Sequence, residues 1–257
     1  HIDNMGGFLG IYEIPRFASI LFTFFTIIVI TNSFNLIDGV DGLAGSLGLL
    51  TTIIFGTYFY LIGEIAFSVM AFSLAGSIFS FLIYNFSPAK IFMGDTGSLL
   101  LGLINSILVI KFINVSGNAT GTYHLESSAA IGFAIMMIPL FDTLRVFGLR
   151  ILSRRSPFSP DRNHVHHFLL DLGFNHKQIT ITCVTANIGF IAMAYLLRDL
   201  GNTVVIGILL FTALSLISLI YYMRQKTKQS FVEHKKEQEI IKRHKVLSLV
   251  PESMEAE

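Results

Sequence analysis

Charge is what this sequence lacks most. Only 14% of its 257 residues are Asp, Glu, Lys or Arg, while 53% are apolar, and the mean hydropathy is +0.66. A soluble domain carries about 25% charged residues. From 17 to 84 the only charged residues are Asp38, Asp41 and Glu64. A surface so poor in charge excludes a water-soluble globular enzyme, and the same arithmetic excludes disorder, which needs charge and few apolar residues. Cysteine is almost absent too: Cys183 stands alone in an apolar run, so no internal disulfide can form and redox compartment is not readable. No cleavable signal peptide opens the chain. It starts at His1 with a polar, Gly-containing stretch, which we expect to be an interior start within a longer protein. No ten-residue alternation suggests a membrane barrel. An all-α, polytopic membrane helix bundle is what remains.

Crossing about 30 Å of hydrocarbon takes about 20 apolar residues at 1.5 Å per residue. Seven segments read as spans, the first and fourth of them short: 16–31, 43–62, 66–84, 98–113, 129–152, 180–197 and 204–222. The fifth contains Pro139 and Gly148, so a kink or break is expected there. We divide the chain into a membrane-embedded domain, 1–223, and a basic tail, 224–257. Net charge is only +1, but eight of the 18 Lys and Arg residues fall in 224–245, against three Glu. A flank obeying the positive-inside rule explains this without nucleic acid as a partner. Loops 32–42, 85–97 and 153–179 hold Lys90, Arg154, Arg155, Arg162 and Lys177, whereas the opposite set has little beyond Arg198. By that rule the first set and the tail are cytoplasmic, with the N-terminus outside.

The basic side also holds the unusual polar chemistry. In the first loop Asn32, Asn35, Asp38 and Asp41 recur every three residues, with Gly39 and Gly42 after each Asp. Ionisable groups at a membrane boundary are costly and usually functional or paired. If helical, this spacing puts the four on one face. Their oxygens are hard donors suited to magnesium or to hydroxyls. The alternative is a polar cap joining two helices. In the second loop Asp95 lies between Gly94 and Gly97 before an apolar helix, as an N-cap or as a cation ligand. Lys90 reads first as a positive-inside residue and second as a phosphate contact. Phe92 is free to face lipid or to stack on a base. In the third, His164, His166 and His167 cluster beside Asp161 and Arg162. Zinc is disfavoured, since no Cys or Glu accompanies them, and phosphate contacts through His and Arg fit better. Asp142 and Arg145, three apart in the fifth helix, share a face and should pair.

Taken together, these segments resemble the polyprenyl-phosphate N-acetylhexosamine-1-phosphate transferases of glycosyltransferase family 4. The resemblance rests on Gly6-Gly-Phe-Leu-Gly-Ile-Tyr-Glu-Ile-Pro15, the Asn–Asp loop, 85–98, Pro139-Leu-Phe-Asp-Thr-Leu-Arg145 and the His loop. It implies transfer of a sugar-1-phosphate from a UDP-sugar to undecaprenyl phosphate, with release of UMP, in the bacterial inner membrane and at a cytoplasm-facing site. The product would initiate a cell-envelope polysaccharide. Asp161-Arg-Asn-His-Val-His-His167 looks like the branch using UDP-GlcNAc; the phospho-MurNAc-pentapeptide branch, the alternative within the family, would show three adjacent His. The resemblance implies that Asp95 and Asn35 coordinate Mg2+, with Mn2+ as the alternative. It implies that Asp38 and Asp41 shape the pocket, that Asn85 and Phe92 contact uracil, and that His164, His166 and His167 grip the diphosphate. Asn32, Lys90 and Arg162 join the substrate contacts. Membrane lipid is an implied partner, and a homodimer is compatible with it. One departure stands out. Family members carry an Asp-Asp motif in an earlier loop, and no adjacent Asp pair occurs here. We therefore expect the chain to be the C-terminal part of such an enzyme, inactive alone.

Three other readings compete. A CDP-alcohol phosphatidyltransferase needs Ala-Arg after the first Asp-Gly pair, whereas Gly45 follows Ala44. A transporter would put its polar residues mid-span at broken helices. A non-catalytic scaffold gives no reason for three chemically dense loops.

Overall fold

Lipid offers backbone amides and carbonyls no partner, so long apolar runs must close their hydrogen bonds internally as helices. The computed structural model describes residues 1–2, 4–117, 123–154, 156 and 164–247, with backbone alone at 228 and 230–247. Among the described residues a short antiparallel hairpin, β1 (Asn4–Phe8) and β2 (Ile11–Glu13), precedes the helices. These are α1 (Arg16–Ile37), α2 (Leu43–Leu61), α3 (Ile65–Asn85), α4 (Gly94–Ser116), α5 (Ser128–Ile135), α6 (Met137–Leu152), α7 (Val165–Asp171), α8 (His176–Leu196) and α9 (Asn202–Leu247). Six helices are long and apolar enough to cross a membrane, and a seventh span is counted if the bent pair of α5 and α6 is taken as one. Phe17, Phe24, Phe25, Phe72 and Phe79 point outward, as a lipid-facing surface requires. The chain is a multi-pass membrane protein.

Two spans run further than hydropathy suggests. α1 continues to Ile37, so Asn32 and Asn35 belong to its last turns and not to a loop. Phe34 and Ile37 are buried there, and Asn32 Nδ2 donates to the Ile28 carbonyl four residues back (2.8 Å). That bond satisfies a polar side chain without leaving the helix. Likewise α4 starts at Gly94 and not at Ser98. α9 runs through the 223/224 boundary as one helix of 46 residues.

The fifth span breaks, but at Met136 and not at Pro139 or Gly148. α5 and α6 meet there at 85°. Pro139 is the third residue of α6, where its missing N–H is one of the unpaired first-turn amides in any case. The break is held by Asn187 of α8, wholly buried, whose Oδ1 accepts from the Ile138 amide and whose Nδ2 donates to the Ile135 carbonyl (3.0 Å each). One amide side chain therefore satisfies both sides of the interruption.

Contacts fix which ends coincide. The start of α5 lies beside the hairpin and the start of α9: Asn202 donates to the Gly6 carbonyl (2.7 Å) and accepts from the Ala130 amide (2.9 Å). Thr203 Oγ1 accepts from the Leu9 amide (2.8 Å). Asp142 of α6, by contrast, reaches His164 at the other end, so the bent pair completes one crossing. α1 and α4 approach closely where Gly102 faces α1; a Cβ there would lie 2.7 Å from Thr31 Cα. That approach brings Asn35 against the start of α4.

Candidate active site

The three polar segments converge at one end of the bundle. Asn35 Nδ2 donates to Asp95 Oδ1 (3.2 Å) and to Ser98 Oγ (3.0 Å), joining segments 60 residues apart. Asp95 does not cap its helix: the cap position is Met93 and no side chain bonds there. Its exposed carboxylate faces Asn35 and also acts on Asp38. Asp38 follows the last residue of α1, partly buried, and burial together with the Asp95 charge pushes its pKa up to about 6. Two neighbouring carboxylates and an amide beside them are the donor types that a hard divalent cation takes. Magnesium commonly takes one or two protein carboxylates and completes its shell with water and phosphate. Among the described residues no group of three or more His, Cys, Asp or Glu is arranged to hold a metal.

Asp41 is a tie point. Its Oδ2 accepts from the Ala89 amide (3.2 Å), its carbonyl from Thr180 Oγ1 (3.0 Å), and its Oδ1 lies 3.2 Å from His176 Nδ1. His176 Nδ1 is also 3.4 Å from the Asp41 amide. In the hydrogen bond the Asp41 amide donates and His176 Nδ1 accepts. Gly42 takes φ +74°, and its amide donates to Asn85 Oδ1 (3.0 Å). A Cβ on Gly42 would meet the Phe86 ring at 3.0 Å, so this turn needs glycine for both conformation and space. Asn85 is buried, and its Nδ2 donates to the Ile91 carbonyl (2.9 Å). Both ends of its side chain thus hold the first two polar segments together. Lys90 is exposed, and Phe92 is 79% exposed.

The His segment docks on the same end. His164 Nδ1 lies 2.9 Å from Asp142 Oδ2, and the Val165 amide donates to the same carboxylate. Arg145 Nη2 closes the arrangement at 2.9 Å from Asp142 Oδ1, the pairing their spacing suggested. Contact through Nδ1 leaves Nε2 of His164, which is buried and has no hydrogen-bond partner among the described residues. His166 stacks on His164, with ring centroids 5.7 Å apart and planes within 6°, and lies 4.3 Å from the ring of His167. Burial first, then the neighbouring imidazoles, lower the pKa of His166 to about 4, so it is neutral at pH 7. A Cβ on Gly39 would sit 3.6 Å from His166 Nε2, so the first segment lies directly over this imidazole. Behind it a mostly apolar cavity of about 70 Å³ extends between α6, α8 and α9, lined by Phe141, Asp142, His166 and Ile217. Asp161 and Arg162 lie outside the described residues.

Residues 1–113 match the family model of glycosyl transferase family 4. The decaprenyl-phosphate N-acetylglucosaminephosphotransferase of Mycolicibacterium smegmatis is 34% identical over 234 residues, 85% of this chain and 57% of that protein. The chain belongs to glycosyl transferase family 4. Another relative of this family member is the undecaprenyl-phosphate alpha-N-acetylglucosaminyl 1-phosphate transferase of Escherichia coli K12. It is 30% identical over 203 residues, 75% of this chain and 53% of that protein. The chain spans about half the length of the curated relatives it matches.

Within this glycosyl transferase family 4 chain, sequence reasoning missed three participants. The sequence pairs Asp142 with Arg145 but does not show its hold on His164, which lies 22 residues away with no local pattern linking them. His176 and Thr180, at the start of α8, carry no motif and hold Asp41 only through the fold.

Proposed function

We propose that this chain forms the nucleotide-sugar end of a transferase that moves GlcNAc-1-phosphate from UDP-GlcNAc to polyprenyl phosphate, releasing UMP. The observation that carries this reading is the meeting of Asn35, Asp38 and Asp95 with the His164–His166–His167 cluster at one end of a membrane bundle. The names of the relatives point the same way. The concentration of basic residues at that end supports a site facing the cytoplasm of a bacterial inner membrane.

In the reaction an oxygen of the lipid phosphate attacks the phosphorus bearing the sugar. One P–O bond forms, the bond to the bridging oxygen breaks, and its electron pair leaves with UMP. The nucleophile is already an anion, so no proton need be removed, and the task is to neutralise negative charge. Asp38, Asp95 and Asn35 would hold Mg2+, with Mn2+ as the substitute, and the ion when bound supplies that neutralisation. His164, oriented by Asp142 through Nδ1, donates from Nε2 to a phosphate oxygen only when the ring carries both protons. His166 is neutral and therefore hydrogen-bonds without adding charge. Asp41 and Asn85 fix the loops around the pocket, while Phe92 offers an exposed ring for a base to stack on. Lys90 and Arg162 are the cationic side chains nearest in sequence for phosphate, and Asn32 stands one turn behind Asn35.

The test is UMP release from UDP-GlcNAc by the full-length protein with polyprenyl phosphate and magnesium. Asp95→Asn should cut turnover by about 10²–10³-fold, the usual effect of losing one such electrostatic contribution. Turnover close to the parent's at saturating magnesium would return Asp95 to a structural role. Activity with UDP-MurNAc-pentapeptide in place of UDP-GlcNAc would move the protein to the other branch.

A further inference from the structure

Arg224 is the first charged residue after the apolar run of α9, and the positive-inside rule alone explains its presence there. Its contacts go further. Its Nε and Nη2 both lie 2.6 Å from Asp171 Oδ2, and its guanidinium sits 4.5 Å from the ring centroid of Phe168. Asp171 and Phe168 both belong to α7, the helix that carries His166 and His167. Phe168 is buried, and a second guanidinium, Arg145, lies 5.5 Å from the same ring. Arg145 in turn pairs with Asp142, which holds His164.

α7 is only seven residues long. An isolated helix of that length is unstable in water, because nucleation costs more than so few bonds return. Its position must come from what it docks on. Asp142 fixes its N-terminal end through His164 and the Val165 amide. At its other end Asp171 is the last helical residue, where a carboxylate opposes the helix dipole. An acid is therefore a poor choice there for helix stability and a good one for capturing a cation from a neighbouring helix. Tyr221, one turn before Arg224, also packs on Phe168 (6.1 Å between centroids).

We infer that Arg224 is a positioning residue: through Asp171 and Phe168 it clamps the C-terminal end of α7 to α9 and so keeps His166 and His167 in the pocket. This rests on the reading of the His cluster as a substrate site, and the test separates the two. Four variants of the full-length protein are compared with the parent in membranes: Arg224→Ala, Arg224→Lys, Asp171→Asn, and the swapped pair Arg224→Asp with Asp171→Arg. The first readout needs no activity. Diethylpyrocarbonate modifies neutral, accessible imidazoles, and the extent at each His is measured by mass spectrometry. Exposed His124, at the opposite end of the bundle, is the internal reference. In Arg224→Ala the modification of buried His166 should rise by about tenfold as the helix gains a populated open state. Arg224→Lys and Asp171→Asn should rise less, the swapped pair should return toward the parent, and His124 should not change.

The second readout is UMP release, which should fall by on the order of tenfold to 10²-fold in Arg224→Ala and recover in the swapped pair. Parent-like His166 modification in Arg224→Ala, or a defect that the swapped pair does not repair, overturns the clamp. Should Arg224→Ala fail to accumulate, Arg224→Lys and Asp171→Asn carry the same comparison. A parent that releases no UMP, with His166 still unmasked by Arg224→Ala, would sink the transferase reading and leave the clamp standing.

Discussion

A carboxylate half-buried beside another carboxylate, and an imidazole buried among other imidazoles, both resist ionisation; Asp38 and His166 are those two residues. Their effects on stability run in opposite directions. Asp38 is raised to about 6, so the folded state holds a proton that the unfolded state has already released, and stability falls as pH rises from about 4 to 6. His166 is lowered to about 4, so the unfolded state takes up a proton first, and stability falls as pH drops from about 6.5 to 4. Over the shared window the two slopes offset each other. In protein stripped of divalent ions, Asp38→Asn should therefore steepen the loss of stability on acidification. His166→Gln should reverse the sign, leaving a protein that weakens as pH rises from 4 to 6. Thermal melting in detergent with EDTA at several pH values reads both; equal slopes in parent and Asp38→Asn would refute the assignment. The sequence made Asp38, Asp95 and the histidines recognisable by residue type and spacing. It did not reveal that His166 is neutral, because that follows from burial against partners brought in by the fold.

Helices were the most legible elements, since about 20 apolar residues in lipid have one solution. Their ends were less so. Asn32 and Asn35 look like loop residues by composition, yet Phe34 and Ile37 are buried and keep the helix going. Pro139 and Gly148 point to a break in the fifth span, but the feature that sustains the break at Met136 lies in another helix. Asn187 supplies one acceptor and one donor to the two severed ends. Replacing it by Leu would leave the Ile138 amide and the Ile135 carbonyl buried and unpaired, at about 1–3 kcal/mol for each group. We expect Asn187→Leu to lower the melting temperature and Asn187→Asp, which keeps the acceptor alone, to fall between it and the parent. A Leu variant melting with the parent would mean that the break is held by packing alone.

At the scale of the whole molecule, the distribution of basic residues showed which segments share a side, and the fold brings those segments together. The far end was not legible. No motif announced the hairpin or its attachment to α9. Asn202→Ala removes the donor to Gly6 and the acceptor for Ala130, so it should lower the melting temperature while the folded protein keeps the parent's rate of UMP release. A matching loss of rate would show that the two ends are coupled. The attachment also orders biosynthesis. Leu9 and Thr203 are 194 residues apart, and Gly6 and Asn202 are 196 apart. At about 5–20 residues per second the ribosome makes the hairpin roughly 10–40 s before its partners exist. Through that interval the Leu9 amide and the Gly6 carbonyl must find water. All three polar segments have been synthesised by then, so a chain ending just before 202 would carry them complete while its opposite end stood open.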